Sequence, residues 1–361
     1  MTSVVFRADA SLDIGSGHIM RCLTLAERIR AQGGRSLFVC RAHHGHMAAA
    51  IQLQGHDVVM LNGDTDFPAD TALAPWRTDL QEADARDTVL AVGERVVDWL
   101  VTDHYGLDAT WERVGAQMSR RRLAIDDLCN RSHDVELLLD QNLGRTPSDY
   151  IKLLPTDCHA LTGPWYALLR SEFAQQRAAS LRRRDAVQAL QHIVVSMGGT
   201  DPVGATGMVL ASLQQDMLPR ETRITIVMGA SAPSLEAVKN TARSLPWPAQ
   251  VVVNTTSMAE LLAEADLALG AAGGSAWERC CLGVPSVIVV MAENQRPAAH
   301  ALARADCALL IDSTDRIPAE LGPCLRALQA PGRLGALSTS SAVLADGLGA
   351  QRVLDAMMGH S

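Results

Sequence analysis

The sequence has no Cys-x-x-Cys pair, no G-x-x-x-x-G-K-[ST] loop and no apolar run near the ~20 residues that span a bilayer. The second absence excludes a P-loop, and the third, with no basic or aromatic stripe, argues against membrane insertion. The eight cysteines are scattered, several inside apolar runs, and read as reduced thiols. The opening residues show no basic-then-apolar leader pattern. A soluble, cytoplasmic, monomeric protein is expected. Excess positive charge is lacking too: the formal net charge of −8 argues against nucleic acid as a partner, while one local pocket could still hold a phosphate. No tandem repeat or low-complexity tract occurs.

What is present is ample apolar material, 48% of 361 residues, more than one core usually holds. Short apolar or β-branched runs alternate with amphipathic stretches. VVFRAD, RSLFVCR, HDVVML, WLVTD, RRLAIDD, VELLLD and CHALTG read as strands, and HIMRCLTLAERIRAQG as a helix closing on Gly33-Gly34. After a polar, Arg-rich stretch the alternation restarts with HIVVSMGGTD, RITIVMG, AQVVVN, DLALGA and PSVIVVMA. The fold class expected is α/β: two doubly wound, Rossmann-like domains with ligands bound in a cleft between them, beyond the strands' carboxyl ends. The boundaries expected are 1–175, a linker at 176–190, and 191–361. Arg182-Arg183-Arg184 reads as a solvated helix face.

Glycine-rich turns recur where strands hand over to helices: Gly15-Ser16-Gly17, Gly198-Gly199-Thr200 and Gly273-Gly274-Ser275. Such turns let backbone amides approach an anion, although a lone one is common in any protein. The richest segment is LGAAGGSAWERCCLGVPSVIVVMAENQ. There Gly273, Gly274 and Ser275 suit a diphosphate, and Glu278 suits ribose hydroxyls. The bland alternative makes Ser275 and Glu278 a capping pair. Asn294 and Gln295 carry the donors and acceptors needed to read a sugar. His43-His44-Gly45-His46 lacks a Cys or carboxylate partner at ligand spacing, so neither a metal nor a cofactor is expected.

FRADASLDIGSGHIMRCLTLA, VTDHYG, IDDL, LLLDQNLGR, GPWYALLRSEF, VSMGGTDP and the GGS-x-x-E segment, in that order, resemble the UDP-2,4-diacetamido-2,4,6-trideoxy-β-L-altropyranose hydrolases of pseudaminic acid biosynthesis. The resemblance runs from about residue 3 to 310. It implies a GT-B-like fold, similar to the glycosyltransferase that forms lipid II, but with water as the sugar acceptor. It implies a UDP-linked diacetamido sugar as substrate, and a product destined for a nonulosonic acid of surface glycans such as those on flagellin. It places the catalytic histidine at His18, in G-x-G-H beside Gly15 and Gly17, and sets Tyr166 and Arg170 near the sugar. By the same reading Gly198, Gly199, Thr200, Gly273, Gly274, Ser275 and Glu278 bind UDP.

A helix N-terminus disfavours an imidazolium, so a neutral His18 that takes a proton from water is expected. Strand ends place Asp103, His104, Tyr105 and Asp126 as further substrate contacts. A carboxylate among them could orient His18 or bond the sugar amides, with turn or capping use as the alternative for Asp103 and Asp126. Gln141 and Asn142 are weaker candidates. Two rivals remain: a glycosyltransferase that uses the same donor, and a nucleotide-sugar binder without activity.

Overall fold

Each apolar run of the first half becomes a strand of one all-parallel sheet: β1 (Ser3–Ala8), β2 (Arg35–Arg41), β3 (Asp57–Leu61), β4 (Val97–Asp103), β5 (Ser119–Ile125), β6 (Leu137–Asp140) and β7 (His159–Thr162), ordered β3-β2-β1-β4-β5-β6-β7. The computed structural model describes residues 2–63, 67, 73–184, 189–213 and 217–359. The second half forms another parallel sheet from β8 (His192–Ser196), β9 (Arg223–Met228), β10 (Ala249–Val253), β11 (Leu267–Ala271), β12 (Ser286–Val289) and β13 (Leu309–Ile311), ordered β10-β9-β8-β11-β12-β13. β13 was not anticipated.

Side-chain alternation explains why the runs are apolar throughout. Val4, Phe6 and Ala8 pack on one face of the first sheet with Ile19, Leu23 and Leu354, while Val5 packs on the other with Ala85 and Trp111. That second face also buries Arg7, which is fully enclosed. Its charge is met by Asp84 at 2.8 Å and Asp9 at 2.7 Å, and Arg41 reaches the same Asp84 at 2.7 Å. Buried charge is tolerated here because each cation has a carboxylate partner.

The chain divides into Met1–Leu168 with Gly349–Ser361, and Leu169–Leu348. This differs from the expected boundaries in two ways. The stretch 176–190 is no linker where it is described: the helix Ser171–Arg184 buries Phe173, Ser180 and Arg184. Arg184 donates to the carbonyls of Ala265 (2.6 Å) and Leu282 (3.0 Å), and Arg183 pairs with Asp266, so two of the three arginines are spent on the second unit rather than on solvent. The terminal helix Gly349–Met358 belongs to the first unit, burying Ala350, Val353, Leu354 and Met357 in its core.

Both sheets reverse strand order once, between β1 and β4 in the first unit and between β8 and β11 in the second. The loops leaving those strands diverge to opposite sides of the sheet, opening a crevice at their carboxyl ends. His18 comes after β1 and Asp103 ends β4; Gly198 and Gly273 follow β8 and β11.

Candidate functional site

The loop after β1 is wound tightly. Gly15 donates to the carbonyl of Ser11 at 2.9 Å, and the Ser11 hydroxyl accepts from the amides of Asp13 and Ile14. Gly15 has φ +80°, a conformation that suits glycine, whereas Gly17 has an ordinary φ and nothing within 4 Å of a would-be Cβ. The helix Gly17–Ala31 starts there and turns Ile19, Cys22, Leu23 and Ala26 into the core. No side chain caps its first turn.

His18, second in that helix, is 6% exposed and directed at the end of β4. Its Nδ1 stands 2.5 Å from Oδ1 of Asp103. Arg21, one turn further on, donates from Nε to Oδ2 and from Nη2 to Oδ1 of Asp103, both at 2.6 Å. Its remaining arm reaches Asp127 at 2.7 Å. Tyr105 sets its ring edge-on to His18, centroids 4.7 Å apart, and donates its hydroxyl to Asp127 at 3.3 Å. Burial opposes ionisation of Asp103, but Arg21 and then His18 hold its carboxyl well below the usual range. An ionised Asp103 can accept the Nδ1 proton, and Nε2 is then the ring nitrogen left to take up a proton. A carboxylate beside His18 was among the expectations and is Asp103; the guanidinium of Arg21 that adjoins the pair was not expected.

The structure thus brings together His18, Asp103 and Tyr105, and adds Arg21 and Asp127, which sequence reasoning missed. Their signals were present: Arg21 lies at i+3 from His18, and Asp127 follows Asp126. The other candidates of this unit are engaged elsewhere. His104 is buried, accepts the Gly106 amide at Nδ1 (2.9 Å) and sets Nε2 3.2 Å from Asp9. Asp126 ties its own loop, accepting from the amides of Leu128 and Cys129 and from the Tyr150 hydroxyl at 3.0 Å. These bonds of His104 and Asp126 tie down their own loops, whereas Asp103 and Tyr105 contact His18. Gln141 is bound to the Leu168 amide and Asn142 to the Asp127 carbonyl. Tyr166 packs half-buried against the first unit's core.

In the second unit the two glycine turns differ. After β8, Gly198 has φ +101°, and Gly199 accepts from Gly229, whose own Cβ would meet the Gly199 oxygen at 2.4 Å. The helix Ala205–Ser212 beyond Thr200 is already answered by Asp201, which takes the amides of Ala205 and Thr206 at 2.9 Å each. An anion at this turn would meet loop amides rather than an uncapped helix. After β11, Gly274 is open around its Cα, and Gln295 comes within 3.6 Å of the Cβ position of Gly273. Ser275 and Glu278 are not a capping pair: no side chain caps this helix, and the Ser275 hydroxyl accepts from Arg279 at 3.1 Å. Asn294 lies with Gln295 in the short helical turn Glu293–Gln295 beyond β12.

Glu278 and Arg170 approach within 4.0 Å, and Arg170 also meets Glu172 at 3.0 Å. Burial pushes the Glu278 carboxyl up to about 7, against the pull of Arg170 and Arg279. Among the described residues no group of three or more His, Cys, Asp and Glu side chains is arranged to hold a metal ion; His43 is directed at Asp9, 3.7 Å away. No helix of the described residues is long and apolar enough to cross a membrane.

Residues 193–346 match the glycosyltransferase family 28 C-terminal domain. Over 302 residues the chain is 26% identical to the UDP-2,4-diacetamido-2,4,6-trideoxy-β-L-altropyranose hydrolase of Campylobacter jejuni, covering 83% of this chain and 96% of that protein. It is 30% identical over 158 residues to the spore coat polysaccharide biosynthesis protein SpsG of Bacillus subtilis, 44% of this chain and 45% of the relative. Among solved structures, MurG of Acinetobacter baumannii superposes with a TM-score of 0.66 at 15% identity, covering 99% of this chain and 100% of that one. The chain is therefore similar to the altropyranose hydrolase along most of its length, and its α/β fold of two doubly wound units is that of the GT-B glycosyltransferases.

Proposed function

We propose that the protein hydrolyses UDP-2,4-diacetamido-2,4,6-trideoxy-β-L-altropyranose to UDP and 2,4-diacetamido-2,4,6-trideoxy-L-altropyranose. The observation that carries the reading is the 2.5 Å contact between His18 Nδ1 and Asp103. With Nδ1–H donated to the carboxylate, Nε2 accepts a proton from water as the water oxygen bonds to the anomeric carbon. The bond from that carbon to the phosphate oxygen breaks, its electron pair leaves with UDP, and the configuration inverts. UDP is a good leaving group, so no second acid is required. The second unit supplies the nucleotide site: loop amides and Ser275 for the diphosphate, Glu278 for the ribose. The product would supply a nonulosonic acid for surface glycans, with no metal needed.

One observation favours a second reading, transfer to a sugar hydroxyl: residues 193–346 match a glycosyltransferase domain. Reaction in ¹⁸O-water separates the two. Hydrolysis puts the label in the free sugar; label in phosphate means attack at phosphorus, and turnover only with an added acceptor means transfer.

The nucleotide site has a pH signature. A carboxylate accepts from ribose hydroxyls better than a carboxylic acid does, and Glu278 ionises around pH 7. Uridine affinity is therefore expected to rise from pH 6 to pH 8, about severalfold. Glu278→Gln should flatten that rise and weaken uridine at pH 8. Calorimetric titration across the range checks it, and an unchanged slope in the variant removes Glu278 from the ribose.

A further inference from the structure

Arg279 is 3% exposed, and among the described residues no carboxylate lies within 4.0 Å of it. It makes two hydrogen bonds: Nη1 to the Ser275 hydroxyl at 3.1 Å and Nη2 to the Ala271 carbonyl at 2.7 Å. Its Nε, also buried, has no partner among the described residues. Burial pulls the guanidinium below its ordinary value. The strand above it is cut to fit, since a Cβ on Gly270 would stand 2.7 Å from Nη1.

Arg184, in the same unit, shows what a purely structural buried arginine looks like. Its Nε, Nη1 and Nη2 all have partners: the carbonyls of Leu282, Ala265 and Leu262 and the Ser180 hydroxyl. Arg279 is less completely satisfied, and one of its two bonds ends on a half-buried hydroxyl beside the exposed Gly274. A serine oxygen that accepts from a guanidinium turns its own proton away from the cation. Ser275 is thereby fixed as a donor, which selects an acceptor, and the buried charge beneath it, offset by Glu278 only from beyond ion-pair distance, favours an anion.

We propose that Arg279 is the positioning residue of an anion site at the Gly273–Ser275 turn, orienting Ser275 and supplying the positive charge that a diphosphate offsets. This rests on the nucleotide reading above for the identity of the anion, not for its existence.

The test is calorimetric titration of the full-length protein, wild type, Arg279→Met, Arg279→Lys and Ser275→Ala, with UDP, uridine and inorganic pyrophosphate. Arg279→Met is expected to weaken UDP and pyrophosphate about tenfold or more and to leave uridine unchanged. Ser275→Ala should cost UDP about threefold to tenfold, and almost nothing further in the Arg279→Met background. Arg279→Lys keeps the charge but not both bonds, and should fall between. Equal loss of uridine and UDP, or no loss of UDP, overturns the proposal. If Arg279→Met fails to fold, undiminished UDP binding by Ser275→Ala and Arg279→Lys overturns it equally. Arg279-dependent pyrophosphate binding without uridine or UDP binding would sink the nucleotide reading and keep the anion site; tight UDP binding indifferent to Arg279 would do the reverse.

Discussion

Replacing His18 by Ala is expected to lower turnover of the UDP-sugar by about three orders of magnitude, in the middle of the usual range for general base catalysis, while UDP affinity stays unchanged. The split follows from where the residue sits. His18 lies in the first turn of the helix after β1, in the first unit, and the groups proposed to bind UDP all belong to the second. A packing role predicts something else. His18 is 6% exposed and touches Tyr105 and Asp103, so a merely structural histidine would lower the melting temperature and activity in proportion. His18→Ala should instead lose activity at temperatures where its circular dichroism and UDP titration match the wild type. Residual turnover above about a tenth of wild type would take the base out of the mechanism.

The parts of this molecule legible in its sequence share a physical cause. A parallel strand buried on both faces must be apolar along its length, so VVFRAD, WLVTD and DLALGA announce themselves without partners. β13 is only Leu309–Ile311, too short for a period to emerge. The stretch 176–190 read as a linker because its polar, Arg-rich composition suggests solvent; nothing in the sequence tells that Arg184 would find backbone carbonyls to donate to. The return of Gly349–Met358 to the first unit was hidden for a related reason. An amphipathic helix declares which face it buries but not against which core.

The site was legible to the same degree. G-x-G-H marked His18, and strand ends marked Asp103 and Tyr105, because a βα junction must place its first loop residues at the crevice. Choosing among adjacent polar residues needs the turn geometry, which is why Asp126 was picked ahead of Asp127 and His104 was grouped with Tyr105. Arg21 was passed over because an arginine in an amphipathic helix looks like surface, whereas here it bridges Asp103 and Asp127.

Asp103→Asn should lower kcat by about two to four orders of magnitude with KM and UDP affinity nearly unchanged. The carboxylate can only accept, so it commits the Nδ1 proton of His18 and makes Nε2 the base. An asparagine that turns its amide toward His18 donates to Nδ1, moving the ring proton to Nε2 and abolishing the acceptor. Arg21 donates to both Asp103 oxygens, so either amide orientation sets the NH₂ against one of its donors and weakens that bridge as well. The same substitution removes one of Arg21's two acidic partners, so a lower melting temperature is expected too, and rates must be compared where both proteins are folded. The pH profile separates positioning from stability. Asp103 is held well below the usual carboxylate range, so it stays ionised through about pH 5 to 9 and contributes no limb of its own. Its loss should therefore depress kcat across that whole range in protein whose circular dichroism shows it folded, which a loss of stability alone would not do. A variant with the wild-type profile and kcat within about tenfold would show that the histidine works without its carboxylate.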